Sequence, residues 1–178
     1  MKRNNILALL LALIMCTVAV SVGAKKGWAK EKAQVDAVKA VLEDNMSFRA
    51  ETAANILTVA QRYLPADDPA LISLAAQRNT LLSPSALMTD KAQADARMND
   101  DARAVLDTLS LMDAVNQNER DRRYVTALLP QMLEESGIKS AAQAYNKVAD
   151  SFNQKLTNSL LSGKIAGLFG IEKAVLFE

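Results

Sequence analysis

The chain contains no histidine, which removes the commonest metal ligand and the commonest general base near neutral pH together. A carboxylate-bridged dimetal centre built on Glu-x-x-His pairs is excluded with it, and serine catalysis loses its usual partner. Cys16 is the only cysteine. No intramolecular disulfide can form and no second thiol exists for a zinc site, so stability must come from packing. Aromatic residues make up 4% of the chain, with six glycines and four prolines; alanine and leucine abound instead, a composition that favours closely packed helices. Charge of one sign is lacking too. With 21 basic and 20 acidic residues there is no concentrated basic face for nucleic acid. Gly163-Lys164 is not a phosphate loop, because Asn158 stands where the first glycine belongs and no Ser or Thr follows the lysine. No cofactor and no metal are expected.

A long apolar run is present. Lys2 and Arg3 precede it, it extends from Ile6 to Ala24, and Lys25 and Lys26 close it. About 19 apolar residues at ~1.5 Å rise cover nearly the whole ~30 Å hydrocarbon core. Residues 1–26 therefore read as a transmembrane anchor or as a signal segment. The length favours an uncleaved anchor at a bacterial inner membrane, crossing once; Val22-Gly23-Ala24 keeps open a secreted product cleaved at Ala24. Cys16 reads as a small buried hydrophobe in that helix. Basic residues flank both ends, and the signal-like start places the bulk of the chain outside the cytoplasm. Trp28 follows at the expected membrane boundary.

Beyond it, residues 27–164 read as a helical domain. Val35, Val38, Leu42 and Met46 begin a helical stripe that resumes through Ala53, Ile56, Ala60, Tyr63 and Leu64. Pro65 to Pro69 stops it, with Asp68 placed to cap a second helix carrying Leu71, Leu74, Arg78 and Leu82. A break at Ser83-Pro84-Ser85 precedes a third helix, roughly 86–114, whose alanine- and charge-rich first half reads as solvated or poorly ordered. Asn116-Gln117-Asn118 is a turn. A fourth helix, about 119–135, is expected to kink or split at Pro130. Its mixed-charge start, Glu119 to Arg123, reads as a solvated turn. Ser136-Gly137 ends it, and Ile138, Ala141, Tyr145, Val148, Phe152, Leu156 and Leu160 mark the last and most periodic helix. No strand or hairpin pattern occurs. The expected fold is all-α: an elongated antiparallel bundle of about four helices behind an N-terminal membrane-spanning helix.

Residues 165–178 form an apolar, glycine-bearing tail. Leu168, Phe169, Ile171, Val175, Leu176 and Phe177 are too apolar to hang in water, so they cover the end of the bundle, dip into a membrane interface or meet a partner. The interaction candidates are Ile165, Gly167, Leu168, Phe169, Gly170, Ile171 and Phe177. Neighbouring carboxylates such as Asp100-Asp101 point about 100° apart on a helix and do not form a facing acid–base pair.

Tyr145-Asn146 with Ile165-Ala166-Gly167-Leu168-Phe169-Gly170 and a terminal Phe177-Glu178 resembles the closing segment of the LemA family of bacterial envelope proteins. Arg49-x-Glu51-x-x-x-Asn55-Ile56, then Tyr63, is similar to that family's first-helix pattern, and Ala76-x-Arg78 with Leu81-Leu82 to its next helix. The chain departs at Ala54, where the family has proline, at Phe48, and from Ala86 to Ala127. The resemblance implies a helical bundle with one membrane segment and no catalytic residues. It points to a non-catalytic interaction or scaffold module, or else to an accessory subunit of a membrane-bound protease or envelope-remodelling complex. The expected partners are membrane lipid and an envelope protein, with self-association left open. Physically, Arg49 and Glu51 are too close in sequence for a good helical ion pair and should each bond a neighbouring helix or its loop. Asn55 should be half-buried, and Tyr145 should pack in the core with its hydroxyl bonded.

Overall fold

The computed structural model describes residues 2–159 and 162–178; the side chains of 2–10, 12, 162 and 165 lie outside the description, as do Met1, Leu160 and Leu161 altogether. Within it the protein is all-α. Helix α1 (Lys2–Ala60) is followed by α2 (Pro69–Leu82), α3 (Met88–Ser110), the short α4 (Asp113–Gln117) and α5 (Glu119–Arg123), a π-helical turn (Tyr124–Leu128), α6 (Leu129–Glu134), α7 (Ile138–Asn158) and α8 (Ser162–Leu168). Two compact units arise. One comprises Met1–Val38 with Lys147–Ala174, the other Lys39–Asn146 with Val175–Glu178.

Helix α1 has no proline to interrupt it before Pro65, so it runs from the apolar segment into the domain without a break. Among the described residues no helix is long and apolar enough to cross a membrane, so the expected span is not met there. The part of the apolar run with described side chains is essentially Leu11 and Leu13 to Ala24, shorter than the ~20 residues a crossing needs. Those side chains are nevertheless bare: Leu11, Leu13, Ile14, Met15, Val18, Val20 and Val22 are all exposed.

In the first unit the Trp28 ring meets Phe152 edge-on, centroids 5.9 Å apart. It is buried against protein, not placed as the lipid-facing boundary residue that its position suggested. Lys155 reaches Glu31 at 2.8 Å. A side chain at Gly163 would collide with the Leu156 carbonyl, whereas Gly167 has open space around it.

The core of the second unit is built from the stripes that periodicity marks. Leu42, Met46, Ala53, Ile56 and Ala60 of α1, Leu71, Leu74 and Leu81 of α2, and Met98, Val105 and Leu109 of α3 are buried. Leu82, expected inward, faces out, one residue past the true stripe position Leu81. Asp68 caps α2, its Oδ1 accepting from the Ala70 amide at 2.8 Å, with Pro69 in the first turn. The stretch from Asp90 to Arg103, expected to be solvated or loose, is a regular helix that buries Ala94, Met98 and Ala102; small residues there let α3 approach its neighbours. The third helix stops at Ser110, short of 114. Proline splits the fourth region as expected. Pro130 has no N–H to donate, the Leu129 amide reaches back five residues to the Tyr124 carbonyl, and the helix widens into its π turn. Gly137 closes this region at φ +64°, and a Cβ there would press on the Asn45 side chain at 2.8 Å.

Candidate functional site

Three polar constellations stand out, each joining helix residues to residues of the turns, helix ends or tail. The first lies under Arg49. This side chain is buried on α1, in register with Met46 and Ala53, where a charge cannot remain unpaired. Its Nε lies 2.6 Å from Oδ1 of Asp95 on α3. Its Nη1 donates to the Leu133 carbonyl at 3.1 Å and the Ser136 hydroxyl at 2.9 Å, and Nη2 donates to Asn99 Oδ1 at 3.0 Å. One guanidinium therefore ties α1 to α3 and to the end of α6. Burial pushes the Asp95 carboxyl above its ordinary range, and the charge of Arg49 draws it part of the way back. Around this cluster opens a groove of about 1090 Å³, lined also by Arg103, Lys139, Gln143, Phe177 and Glu178.

The second constellation corrects the reading of the mixed-charge turn. Glu119, Arg120, Arg122 and Arg123 are exposed, but Asp121 is buried. Its carboxylate accepts from Arg62 Nη1 at 2.9 and 3.0 Å and from the Tyr63 hydroxyl at 2.7 Å. Its own amide donates to Asn118 Oδ1, which caps α5. The Tyr63 hydrogen bond, with help from Arg62, holds the Asp121 carboxyl below its ordinary range, and the same bond raises the Tyr63 phenol. Beside them is an open cleft of about 1060 Å³ lined by Tyr63, Arg120, Arg123, Tyr124 and Gln131. Arg120 lies over the Tyr124 ring, 5.8 Å from its centroid.

The third explains the tail residues. In the second unit the Tyr145 hydroxyl donates to the Val175 carbonyl at 2.6 Å, and the Asn146 carboxamide spans Phe177, donating to its carbonyl at 2.9 Å and accepting from its amide at 2.8 Å. In the first unit Asn153 does the same for Ala174, at 2.8 Å in both directions. A carboxamide that pairs with both polar groups of one extended residue imitates a strand neighbour, and leaves that stretch of backbone satisfied without a sheet. Replacing Asn146 by alanine orphans both Phe177 groups. Hydrogen exchange at the Phe177 amide should quicken about tenfold, while amides in α2 stay unchanged.

Arg49, Tyr63, Tyr145 and Asn146 are thus brought into structural contacts. Glu51 and Asn55 are not: both are exposed on α1, so the neighbouring-helix bond expected for Glu51 and the half-burial expected for Asn55 do not occur, because the inward face of that turn is taken by Thr52, Ala53 and Ile56. Among the interaction candidates, Phe177 is buried and Ile171 half-buried, whereas Gly167, Leu168, Phe169 and Gly170 are exposed; the side chain of Ile165 lies outside the described residues. Asp95, Asn99, Ser136 and Asp121 escaped the sequence reading, although Asp121 is in step with Val125, Leu129 and Leu133. Among the described residues no group of three His, Cys, Asp or Glu side chains is arranged to hold a metal ion. No family model matches the chain, and neither a curated protein nor a solved structure matches it.

Proposed function

We propose that the protein is a divergent envelope protein of the LemA type: an antiparallel bundle of about four helices, tethered to the bacterial inner membrane by one N-terminal span. Its bulk lies on the extracytoplasmic side. It acts without catalysis, as an interaction or scaffold module. The observation that carries this reading is the uncovered apolar surface of α1, where Leu11, Leu13, Ile14, Met15, Val18, Val20 and Val22 are all exposed. Such a surface needs a bilayer or another apolar partner to cover it. Supporting the non-catalytic part, two of the buried charged groups are engaged in ion pairs within the fold: Arg49 with Asp95, and Asp121 with Arg62, beside its bond from Tyr63. The tail pairing by Tyr145 and Asn146 gives a physical reason for the residues that carry the LemA resemblance.

Fractionation of cells expressing the full chain tests the anchor. The protein should stay in the membrane pellet through alkaline carbonate, at its full mass. Release into the supernatant, or a soluble product beginning after Ala24, overturns it. Cross-linking in the same cells then identifies the partner; an envelope protease or remodelling enzyme among those captured would favour the accessory-subunit role.

A further inference from the structure

The returning segment of the first unit ends α8 in a turn that leaves apolar side chains exposed. Leu168 is 84% exposed and Phe169 40%, and Gly170, at φ +69°, reverses the chain immediately afterwards. The Gly170 amide bonds the Gly167 carbonyl at 3.1 Å and the Ile171 amide bonds that of Ala166 at 3.1 Å, so the turn is formed, not frayed. The turn lies against α1 at one identified point: the Lys25 ammonium sits over the Phe169 ring, 5.3 Å from the centroid.

Lys25 is the first charge after the apolar run. Phe169 therefore lies where the uncovered apolar surface, last represented by Val22, gives way to lysines. Lys25, Lys26 and Lys30 on α1 and Lys164 and Lys173 on the returning segment are exposed. The two nearby α1 carboxylates are already engaged, Glu31 with Lys155 and Asp36 with Lys32, which leaves Glu172 as the acidic neighbour in the turn's own sequence. An apolar tip in a segment that carries several exposed lysines, beside an apolar helix surface that needs a bilayer, is complementary to an anionic lipid surface.

We propose that the Leu168–Phe169 turn is a second, interfacial membrane contact: it inserts among the headgroups while Lys25, Lys26, Lys30, Lys164 and Lys173 meet anionic lipid. The chain is then held to the bilayer at two points, the span and this turn. This inference rests on the anchor reading above.

The test uses the full chain carrying Cys16→Ser and Leu168→Cys, labelled at the new thiol with an environment-sensitive fluorophore. It is reconstituted into vesicles of phosphatidylethanolamine and phosphatidylglycerol. A second preparation carries the label at Leu111→Cys, an 83% exposed position of the other unit. The label at 168 should shift to the blue and be quenched at least threefold more by a headgroup-level lipid quencher than the label at 111. Replacing the phosphatidylglycerol by phosphatidylcholine should cut that quenching at least twofold. Full quenching of the 168 label by aqueous iodide, in a chain that still resists carbonate, overturns the docking and leaves the anchor standing. A label shielded from iodide but untouched by the lipid quencher also overturns it, in favour of a protein on that turn. Quenching unchanged in phosphatidylcholine removes the lysines from the contact. Release of the chain by carbonate overturns the anchor itself.

Discussion

Replacing Arg49 by leucine lowers the stability of the fold by about 3 kcal/mol or more, the range expected when one partner of a buried ion pair is removed. The reason lies less in lost attraction than in what remains. Asp95 keeps a carboxylate with little access to water, and Asn99, Ser136 and the Leu133 carbonyl lose a shared donor. The pH dependence separates this account from a simple packing defect. Burial raises the folded-state pKa of Asp95 above its unfolded value, so protonation favours the fold: the group's contribution is fully present below the unfolded pKa and is lost as the pH rises through the folded one. Without Arg49 the opposing pull vanishes and the rise grows. The deficit of Arg49→Leu should therefore be largest near neutrality and shrink as the pH falls through the carboxylate range. Adding Asp95→Asn should recover a substantial part of it at neutral pH. Urea unfolding followed by circular dichroism checks both; a deficit independent of pH would contradict the buried-charge explanation.

Substituting Asp121 by alanine removes about 2 kcal/mol at neutral pH, because the Tyr63 hydroxyl and one Arg62 donor lose a buried acceptor together. Here the sign of the linkage is reversed. Hydrogen bonds from Tyr63 and Arg62 depress the folded-state pKa, so the stabilisation is present above the unfolded value and disappears as the pH falls through the folded one. The native chain should lose this increment on acidification, and Asp121→Ala, having none to lose, should show a flatter acid limb. Tyr63→Phe should take away part of the same increment. Melting temperatures between neutral pH and about pH 3, below the ordinary carboxylate range, settle the matter: parallel acid limbs in the native and alanine chains would sink it.

These two carboxylates mark the limit of what spacing reveals. Several helix boundaries followed from local chemistry that needs no tertiary partner: Asp68 ahead of Pro69, Pro130 without its N–H, Gly137 at a helix end; the end of α3 at Ser110 did not. Tyr145 was legible because it stands on an apolar stripe. Arg49 stands on one too, three residues after Met46 and four before Ala53, and a charge in that register signals a buried pair. The partner was not legible. Asp95 comes from a stretch so rich in alanine and charge that its inward side resembles its outward one, and a polar side chain is inward or outward according to what a distant helix offers it. Asp121 was hidden among alternating charges for the same reason. At the tail, the apolar content was plain, but its division was not: which of its residues are paired and which stand bare depends on Asn146 and Asn153, more than twenty positions away in the chain.

The carboxamide on Phe177 carries a consequence for how the segment comes loose. Tyr145 holds the Val175 carbonyl, and Asn146 holds both polar groups of Phe177. Adjacent residues of one helix thus grip alternate residues of the extended stretch, and no single bond can be given up without loading the others. The stretch should therefore peel from α7 in one cooperative step instead of fraying residue by residue.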